Sequence, residues 1–352
     1  PFTANVGETL NLSETLGGAN AGQYTATLAC DNSVTVGGTG DFVVPATATN
    51  CTVTNTRQTA TLQIAKAWSG TSPATDSATI GVTTGGLNNT TSFTTAGGTS
   101  ANSGTAVTVA VGNTITFPAE TGTNIGNYTT VLSCLAGGGA TANALSGTNG
   151  QVSNTLVIGA GDSGKAIVCT YTNTRKTTTI TLKKAWSTAA VNDTASVLLK
   201  RGAATVDTLA STANTTTETD TDVTPFTANV GETLNLSETL GGANAGQYTA
   251  TLACDNSVTV GGTGDFVVPA TATNCTVTNT RQTATLQIAK AWSGTSPATD
   301  SATIGVTTGG LNNTTSFTTA GGTSANSGTA VTVAVGNTIT FPAETGTNIG
   351  NY

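Results

Sequence analysis

Three residue types recur at fixed places along this chain and together could form a covalent bond: a lysine, a glutamate and an asparagine. The lysine lies in residues 61–68 (TLQIAKAW), with relatives at 179–186 (TITLKKAW) and 285–292. Read as β-strands, these place Leu62, Ile64, Lys66 and Trp68 on one face, and Ile180, Leu182, Lys184 and Trp186 on another, while Lys183 points outward. The apolar face is the one to bury, so Lys66 and Lys184 stand in line with the core. The same alternation in residues 233–240 (TLNLSETL) groups Glu238 with Leu234, Leu236 and Leu240. In residues 275–281 (CTVTNTR) it groups Asn279 with Cys275 and Val277. The preceding unit offers Lys66, Glu120 and Asn173, the last in phase with Cys169 and Tyr171. Glu120 is out of phase with Ile115 and Phe117, but Pro118 and Ala119 carry one extra residue, and a bulge there restores its direction.

Two chemistries fit such a trio. In one, the lysine and glutamate form a buried ion pair with the asparagine hydrogen-bonded beside them, since an unpaired buried charge is costly. In the other, desolvation leaves the amine neutral and the carboxyl protonated. The amine then attacks the asparagine carbonyl, the carboxyl shuttles protons, and ammonia leaves behind an amide cross-link. A dry core supplies the proximity that such slow chemistry needs. The residues alone leave both readings open.

The elements that must position these residues follow from an internal repeat. Residues 225–352 duplicate residues 1–128 without a change, an offset of 224. Within that period CTVTNTR ends at Arg57, CTYTNTR at Arg175 and CTVTNTR again at Arg281, each followed closely by a Lys-Ala-Trp strand. The period is therefore two related domains, each about the size of an immunoglobulin-like sandwich. Residues 58–175 form one complete domain (type B) and residues 176–281 another (type A). Residues 1–57 correspond to the second half of an A domain and residues 282–352 to the first half of a B domain. Half a sandwich exposes its core and its strand edges, so the expectation is a window from a longer alternating array. The junctions after Asn55, Asn173 and Asn279 hold few residues and no flexible linker. This predicts a stiff rod advancing on the order of 70–80 Å per period.

Within each domain, short β-prone segments are separated by Gly-Gly, Gly-Asp and Asn-rich turns, and no sustained 3.6-residue period occurs. The fold expected is all-β, a series of tandem immunoglobulin-like β-sandwiches. The Lys-x-Trp first strand, the inward glutamate, the tyrosine after it (Tyr128, Tyr248) and the terminal Thr-Asn-Thr strand resemble prealbumin-like domains of bacterial surface proteins, of the collagen-adhesin B and SpaA types. That resemblance implies stalks or pilus shafts, and spontaneous Lys–Asn isopeptide bonds helped by an acidic residue. Those roles would fall on Lys66, Glu120 and Asn173, and on Lys184, Glu238 and Asn279. The familiar Gram-positive members usually lack disulfides, whereas each unit here offers a cysteine pair, a departure that suggests a different envelope.

Composition narrows the function classes. Of 352 residues only 8% are charged and 5% aromatic, and the net charge of −7 argues against nucleic acid. No run of 18 apolar residues exists, so this segment is not expected to insert in a membrane. Six cysteines occur without histidine and without a CxxC pair. Disulfides joining Cys30 with Cys51, Cys134 with Cys169 and Cys254 with Cys275 are expected, and with them an oxidising, extracellular setting. No cofactor, metal site or catalysis on an external substrate is expected. Residues 159–165 (GAGDSGK) mimic a phosphate-binding loop, but Ala166 replaces its Ser/Thr and no helix follows, so a hairpin turn is expected. Glu218, Asp220 and Asp222 read as a solvated acidic face, not a cation site. The sum is a structural repeat of an extracellular fibre, stalk or filament, partnered by adjacent identical repeats, with lateral bundling left open. The alternative is an adhesive module contacting host or matrix ligands; variable aromatic-rich loops would favour it, and none occur.

Overall fold

The computed structural model describes residues 1–84, 90–98, 101–137, 139–140, 145–146, 148–308, 314–322 and 326–352. They form two compact units, Pro1–Lys176 and Thr177–Tyr352. Strands dominate both, because β-branched threonine and valine alternate with small residues and glycine or asparagine turns interrupt each run.

In the first unit, one layer of a sandwich runs in the order Asn154–Val157, Thr114–Phe117, Ser77–Thr84, Thr90–Ala96. The facing layer centres on Ala166–Arg175, which pairs antiparallel with Tyr128–Ala136 and parallel with Thr59–Ser69. A parallel neighbour cannot be reached by a tight hairpin, so the first and last strands of the sandwich lie side by side only once the domain is closed. Leu62, Ile64, Ile80, Ile115, Phe117, Leu132, Leu156 and Ile167 fill the space between the layers, all 1% exposed or less. At about 1.5–3 kcal/mol for each large side chain removed from water, this core is the main source of stability.

The second unit repeats the plan. One layer contains Thr217–Thr221, Thr177–Ser187, Thr273–Arg281 and Tyr248–Cys254, and the other Ala204–Thr212, Thr194–Arg201, Thr233–Gly241 and Asp265–Val267. Here too the lysine-bearing first strand runs parallel to the asparagine-bearing last strand, with Lys184 opposite Val277 and Trp186 opposite Asn279. Each unit also holds a less complete portion. Residues 1–57 form two separate strand pairs, and the described residues of 282–352 form two strand pairs and a three-stranded sheet. Leu10, Phe42 and Val53 are only half-buried there, whereas the same residues at Leu234, Phe266 and Val277 are buried.

An arginine ties the end of each A-type portion to the B-type portion that follows it within the same unit. Arg281 Nη2 donates to the Val335 carbonyl at 2.9 Å, to Asn244 Oδ1 at 3.0 Å and to Gln247 Oε1 at 3.1 Å. Arg57 Nη2 donates in the same way to the Val111 carbonyl at 3.0 Å and to Gln23 Oε1 at 3.1 Å. The backbone continues the tie, since Gln282 N donates to the Gln247 carbonyl and Val335 N to the Gln282 carbonyl. The glutamine side chain packs so closely on the next portion that a Cβ on Gly112 or Gly336 would collide with it.

Two sequence expectations need correction. Residues 159–165 are not a hairpin turn. Asn154–Val157 pairs with Thr114–Phe117 in one layer, and Ala166–Arg175 pairs with strands of the other. The segment, including the short 3-10 turn Ala160–Asp162, crosses between the layers. Adjacency in sequence suggested pairing, but a sandwich joins neighbouring strands across its core as readily as within a sheet. The acidic run at 218–222 is likewise not a solvated face: Glu218, Asp220 and Asp222 are half-buried. Glu218 accepts from Asn214 N, Asp220 from Ser211 Oγ and Asp222 from Thr224 N.

Candidate functional site

Each complete sandwich turns its lysine, glutamate and asparagine inward, all from strands in the A sandwich, and with Glu120 just past the end of Thr114–Phe117 in the B sandwich. Lys66, Asn173, Lys184 and Asn279 are 0% exposed. Glu120 reaches the core through the extra residue at Pro118–Ala119. Thr116 lies opposite Thr83 and Thr121 opposite Thr79, so five steps on one strand face four on the other. The bulge turns Glu120 inward, where it is buried.

In the B sandwich a single carboxylate oxygen holds both prospective reactants. Glu120 Oε1 lies 2.9 Å from Lys66 Nζ and accepts from Asn173 Nδ2 at 3.1 Å. The A sandwich repeats this, with Glu238 Oε1 3.2 Å from Lys184 Nζ and accepting from Asn279 Nδ2 at 3.0 Å. Lys184 Nζ also donates to the carbonyls of Ala185 at 3.0 Å and Val277 at 3.4 Å. Each amine sits over its tryptophan ring, 4.5 Å from Trp68 and 4.1 Å from Trp186. Burial disfavours the ammonium more than the neighbouring carboxylate restores it. It pulls Lys66 down to about 8 and moves Lys184 in the same direction. Both lysines therefore reach the nucleophilic, neutral form far more easily than a surface lysine.

The sequence singled out Tyr128 and Tyr248 but not the partners that they hold. Tyr128 donates to Asp76 Oδ2 at 2.5 Å, and Asn124 Nδ2 to the other Asp76 oxygen at 2.8 Å. In the A sandwich Tyr248 donates to Asp193 Oδ2 at 2.6 Å and accepts from Ala190 N at 3.0 Å. Trp68 meets Tyr128, and Trp186 meets Tyr248, edge to face at 5.1 and 5.6 Å. The tyrosine latch thus braces the tryptophan under the lysine. Burial and Asp193 push the Tyr248 phenol up to about 12, and burial and Asp76 raise Tyr128 likewise. A phenol titrating higher in the folded state contributes stability that is intact below its unfolded value of about 10. That stability is lost as pH rises through the folded value. Melting temperature should therefore fall between about pH 10 and 12 in the parent chain, and fall less in Tyr248→Phe.

Two further residues differ between the sandwiches. Thr130, two positions beyond Tyr128 and in phase with it, touches both Glu120 and Asn173. Its counterpart opposite Asn279 is Ala250. In the A sandwich alone, Asp220 lies opposite Lys184 and accepts from Ser211, which in turn accepts from Trp186 Nε1 at 2.8 Å.

The remaining sites concern sulfur and charge. The structure pairs Cys30 with Cys51, Cys134 with Cys169 and Cys254 with Cys275. Among the described residues, no three acidic, histidine or cysteine side chains are placed to hold a metal ion, and no helix is long and apolar enough to cross a membrane.

Residues 61–175 match the family model described as a prealbumin-like fold domain. This sandwich is a prealbumin-like domain. The match starts in the lysine strand and ends at Arg175, so it spans the whole trio of Lys66, Glu120 and Asn173. No curated protein sequence matches the chain. Among solved structures, the Bacillus anthracis TIE protein is similar at 10% identity with a TM-score of 0.41, over 87% of this chain and 52% of that one. The chain therefore spans about half the length of that protein. The T-13 major pilin of Streptococcus pyogenes is similar at 13% identity and a TM-score of 0.31, over 64% of this chain and 98% of the pilin. A C-terminal fragment of the pilus adhesin SpaC from Lactobacillus rhamnosus GG shows 14% identity and a TM-score of 0.29, over 64% of this chain and 98% of the fragment.

Proposed function

We propose that this chain is a load-bearing repeat segment of an extracellular bacterial fibre or stalk, and that each complete sandwich seals itself with an amide bond. The bond joins Lys66 to Asn173 in the prealbumin-like domain and Lys184 to Asn279 in its A-type neighbour. One observation carries the reading: a buried carboxylate oxygen contacts both the amine and the amide nitrogen, on strands that run parallel at the two ends of the domain's chain. An ion pair needs no amide at that oxygen. A proton shuttle between an attacking amine and a departing one needs contact with both.

The placement suits a tether. Tension on such a domain enters through its first strand and leaves through its last, and a covalent link between those strands carries the load without unzipping the sheet. The disulfides add a second tie between the last strand and the tyrosine strand. The arginine clamp and the backbone bonds from Gln282 stiffen the passage from one portion to the next, which favours a spacer that holds its length. The partners are then neighbouring repeats of the same fibre, and the setting is outside the cell, where three disulfides persist.

Intact mass decides the cross-link. Each closed domain should weigh about 17 Da less than its sequence after the disulfides are reduced, because ammonia has left. Lys184→Ala should abolish the deficit in the A-type domain and leave the other untouched. A parent chain at full mass, or a deficit that survives in the A-type domain of Lys184→Ala, refutes the bond.

A further inference from the structure

The two sandwiches hold the same lysine, glutamate and asparagine but surround them differently, and the difference lies at the amide oxygen. In the B sandwich, Thr130 Oγ1 stands 2.8 Å from Glu120 Oε2 and 2.7 Å from Asn173 Oδ1. A hydroxyl has one proton to give, and an amide oxygen has none. When the proton shared by Lys66 and Glu120 rests on the carboxyl group, the amine is neutral and the two short contacts at Thr130 each take one proton. The arrangement is then a chain in which protonated Glu120 donates to Thr130 and Thr130 donates to Asn173 Oδ1. The other carboxyl oxygen is free to serve the two nitrogens, and it is the one that touches both.

From this arrangement we infer that Thr130 is a catalytic relay for cross-linking in the B sandwich, and that the A sandwich, with Ala250 in its place, closes much more slowly. The inference rests on the cross-linking proposed above. The neutral Lys66 amine attacks the Asn173 side-chain carbon, and a carbon–nitrogen bond forms. The carbonyl electrons move to Oδ1, which takes a proton from Thr130 as Thr130 takes one from Glu120. Glu120 then removes a proton from the attacking nitrogen through Oε1 and hands it to Nδ2. The bond to Nδ2 breaks, ammonia leaves, and the proton on Oδ1 returns through Thr130 to Glu120. One amide bond is exchanged for another, ammonia is released, and Thr130 and Glu120 end as they began. Oxygen protons use one carboxyl oxygen and nitrogen protons the other, so neither transfer needs the carboxyl to rotate.

The surroundings preserve this chain in one sandwich and break it in the other. Gly150 lies against Thr130 so closely that a Cβ there would come within 2.7 Å of Thr130 Cγ2 and 2.8 Å of the Tyr171 ring. Its carbonyl accepts from Glu120 N at 3.1 Å and its N–H donates to the Thr130 carbonyl at 3.2 Å. A residue without a side chain therefore caps the relay and keeps water out, leaving Thr130 3% exposed. In the A sandwich Ala250 is exposed, and Asn279 Oδ1 is buried without a hydrogen-bond partner. Nothing there donates to the oxygen on which negative charge would develop, the position where a donor matters most. Lys184 instead spends its donors on two backbone carbonyls.

The test follows both bonds in one molecule. The full chain is synthesised cell-free under oxidising conditions and samples are quenched in denaturant at intervals. After digestion, the branched peptides containing Lys66 with Asn173 and Lys184 with Asn279 are quantified by mass spectrometry. In the parent chain the first should be complete while the second is still accumulating. Thr130→Val should slow the first by about 10²-fold, the usual worth of a positioned proton donor, and leave the second unchanged. Thr130→Ser should restore the parent rate, because it returns the hydroxyl. Thr130→Ala serves as a second deletion in case valine prevents folding, which formation of the disulfide between Cys134 and Cys169 reports. Parent-like closure in a folded Thr130→Val or Thr130→Ala chain overturns the relay while leaving the cross-link standing. So does equal closure of both domains in the parent. Absence of both branched peptides from the parent overturns the cross-link and the relay with it.

Discussion

Glu120→Ala should be among the most damaging single substitutions in the B-type domain. It should lose the cross-link and about 3–5 kcal/mol of stability besides, because Lys66 is left as a buried charge without its partner. Lys66 and Glu120 are both fully buried at the side chain, so water cannot take over the role of the carboxylate without opening the core. The covalent contribution is separate. Tying Lys66 to Asn173 closes a loop of roughly 100 residues and removes about 4–5 kcal/mol of chain entropy from the unfolded state. The double variant Lys66→Met with Glu120→Leu separates the two terms. Apolar side chains of similar volume restore burial and remove the charge, so this chain should fold with near-parent packing while lacking only the cross-link. Denaturant unfolding of the three chains checks the ordering: parent most stable, double variant next, Glu120→Ala least. If Glu120→Ala unfolds at the same denaturant concentration as the double variant, the buried charge is not what the glutamate neutralises.

The second large effect concerns the disulfide between Cys134 and Cys169. Replacing both by serine should cost about 3–4 kcal/mol by loop closure across its 35-residue separation. The two cysteines face each other in register on adjacent strands and are 0% exposed. Serine hydroxyls left in that apolar pocket add to the cost, whereas Cys→Ala at both positions replaces it with a small cavity. Under native conditions with a thiol reductant, this bond should outlast the one between Cys254 and Cys275, because Cys254 is only partly buried. Timed alkylation followed by peptide mapping reads the order. Reduction of Cys134 and Cys169 before Cys254 and Cys275 would show that burial does not govern access.

The candidate site was legible in the sequence because strand parity is a strict two-residue period. Once Leu62 and Ile64 were inward, Lys66 had to be inward too, and the same rule placed Glu238 and Asn279. Glu120 needed one more step, from the extra residue at Pro118–Ala119, and the register shows the additional residue there. The tyrosine latch left no such trace. Asp76 and Asp193 sit in turns before a strand, where aspartate is common for many reasons, and nothing local ties them to a tyrosine more than 50 residues away. Thr130 shares its parity with Tyr128 and Leu132, but threonine is so abundant in this chain that one inward copy gave no signal.

Identical sequence in two settings shows where sequence alone stops. Residues 61–68 and 285–292 are the same, and composition and alternation predict a strand in both. The first lies within one unbroken strand, Thr59–Ser69, while the second is interrupted between Thr283–Leu286 and Ala289–Lys290. The difference is the neighbour: Thr59–Ser69 runs parallel to Ala166–Arg175, and among the described residues the later copy pairs only antiparallel, with Val331–Ala334 and Asn326–Ser327. Lys290 still meets Glu344 at 2.5 Å, but both remain partly exposed. Short-range alternation and spacing were enough to specify the β-character, the inward lysine, its glutamate and the cysteine pairs. Closure of the sandwich is what makes the lysine dry and lets one carboxylate oxygen reach both nitrogens. It also sets Thr130 at the amide oxygen in one sandwich and leaves Asn279 Oδ1 without a hydrogen-bond partner in the other. Those outcomes require first and last strands far apart in the chain to meet, and their meeting depends on the closed core and not on either strand.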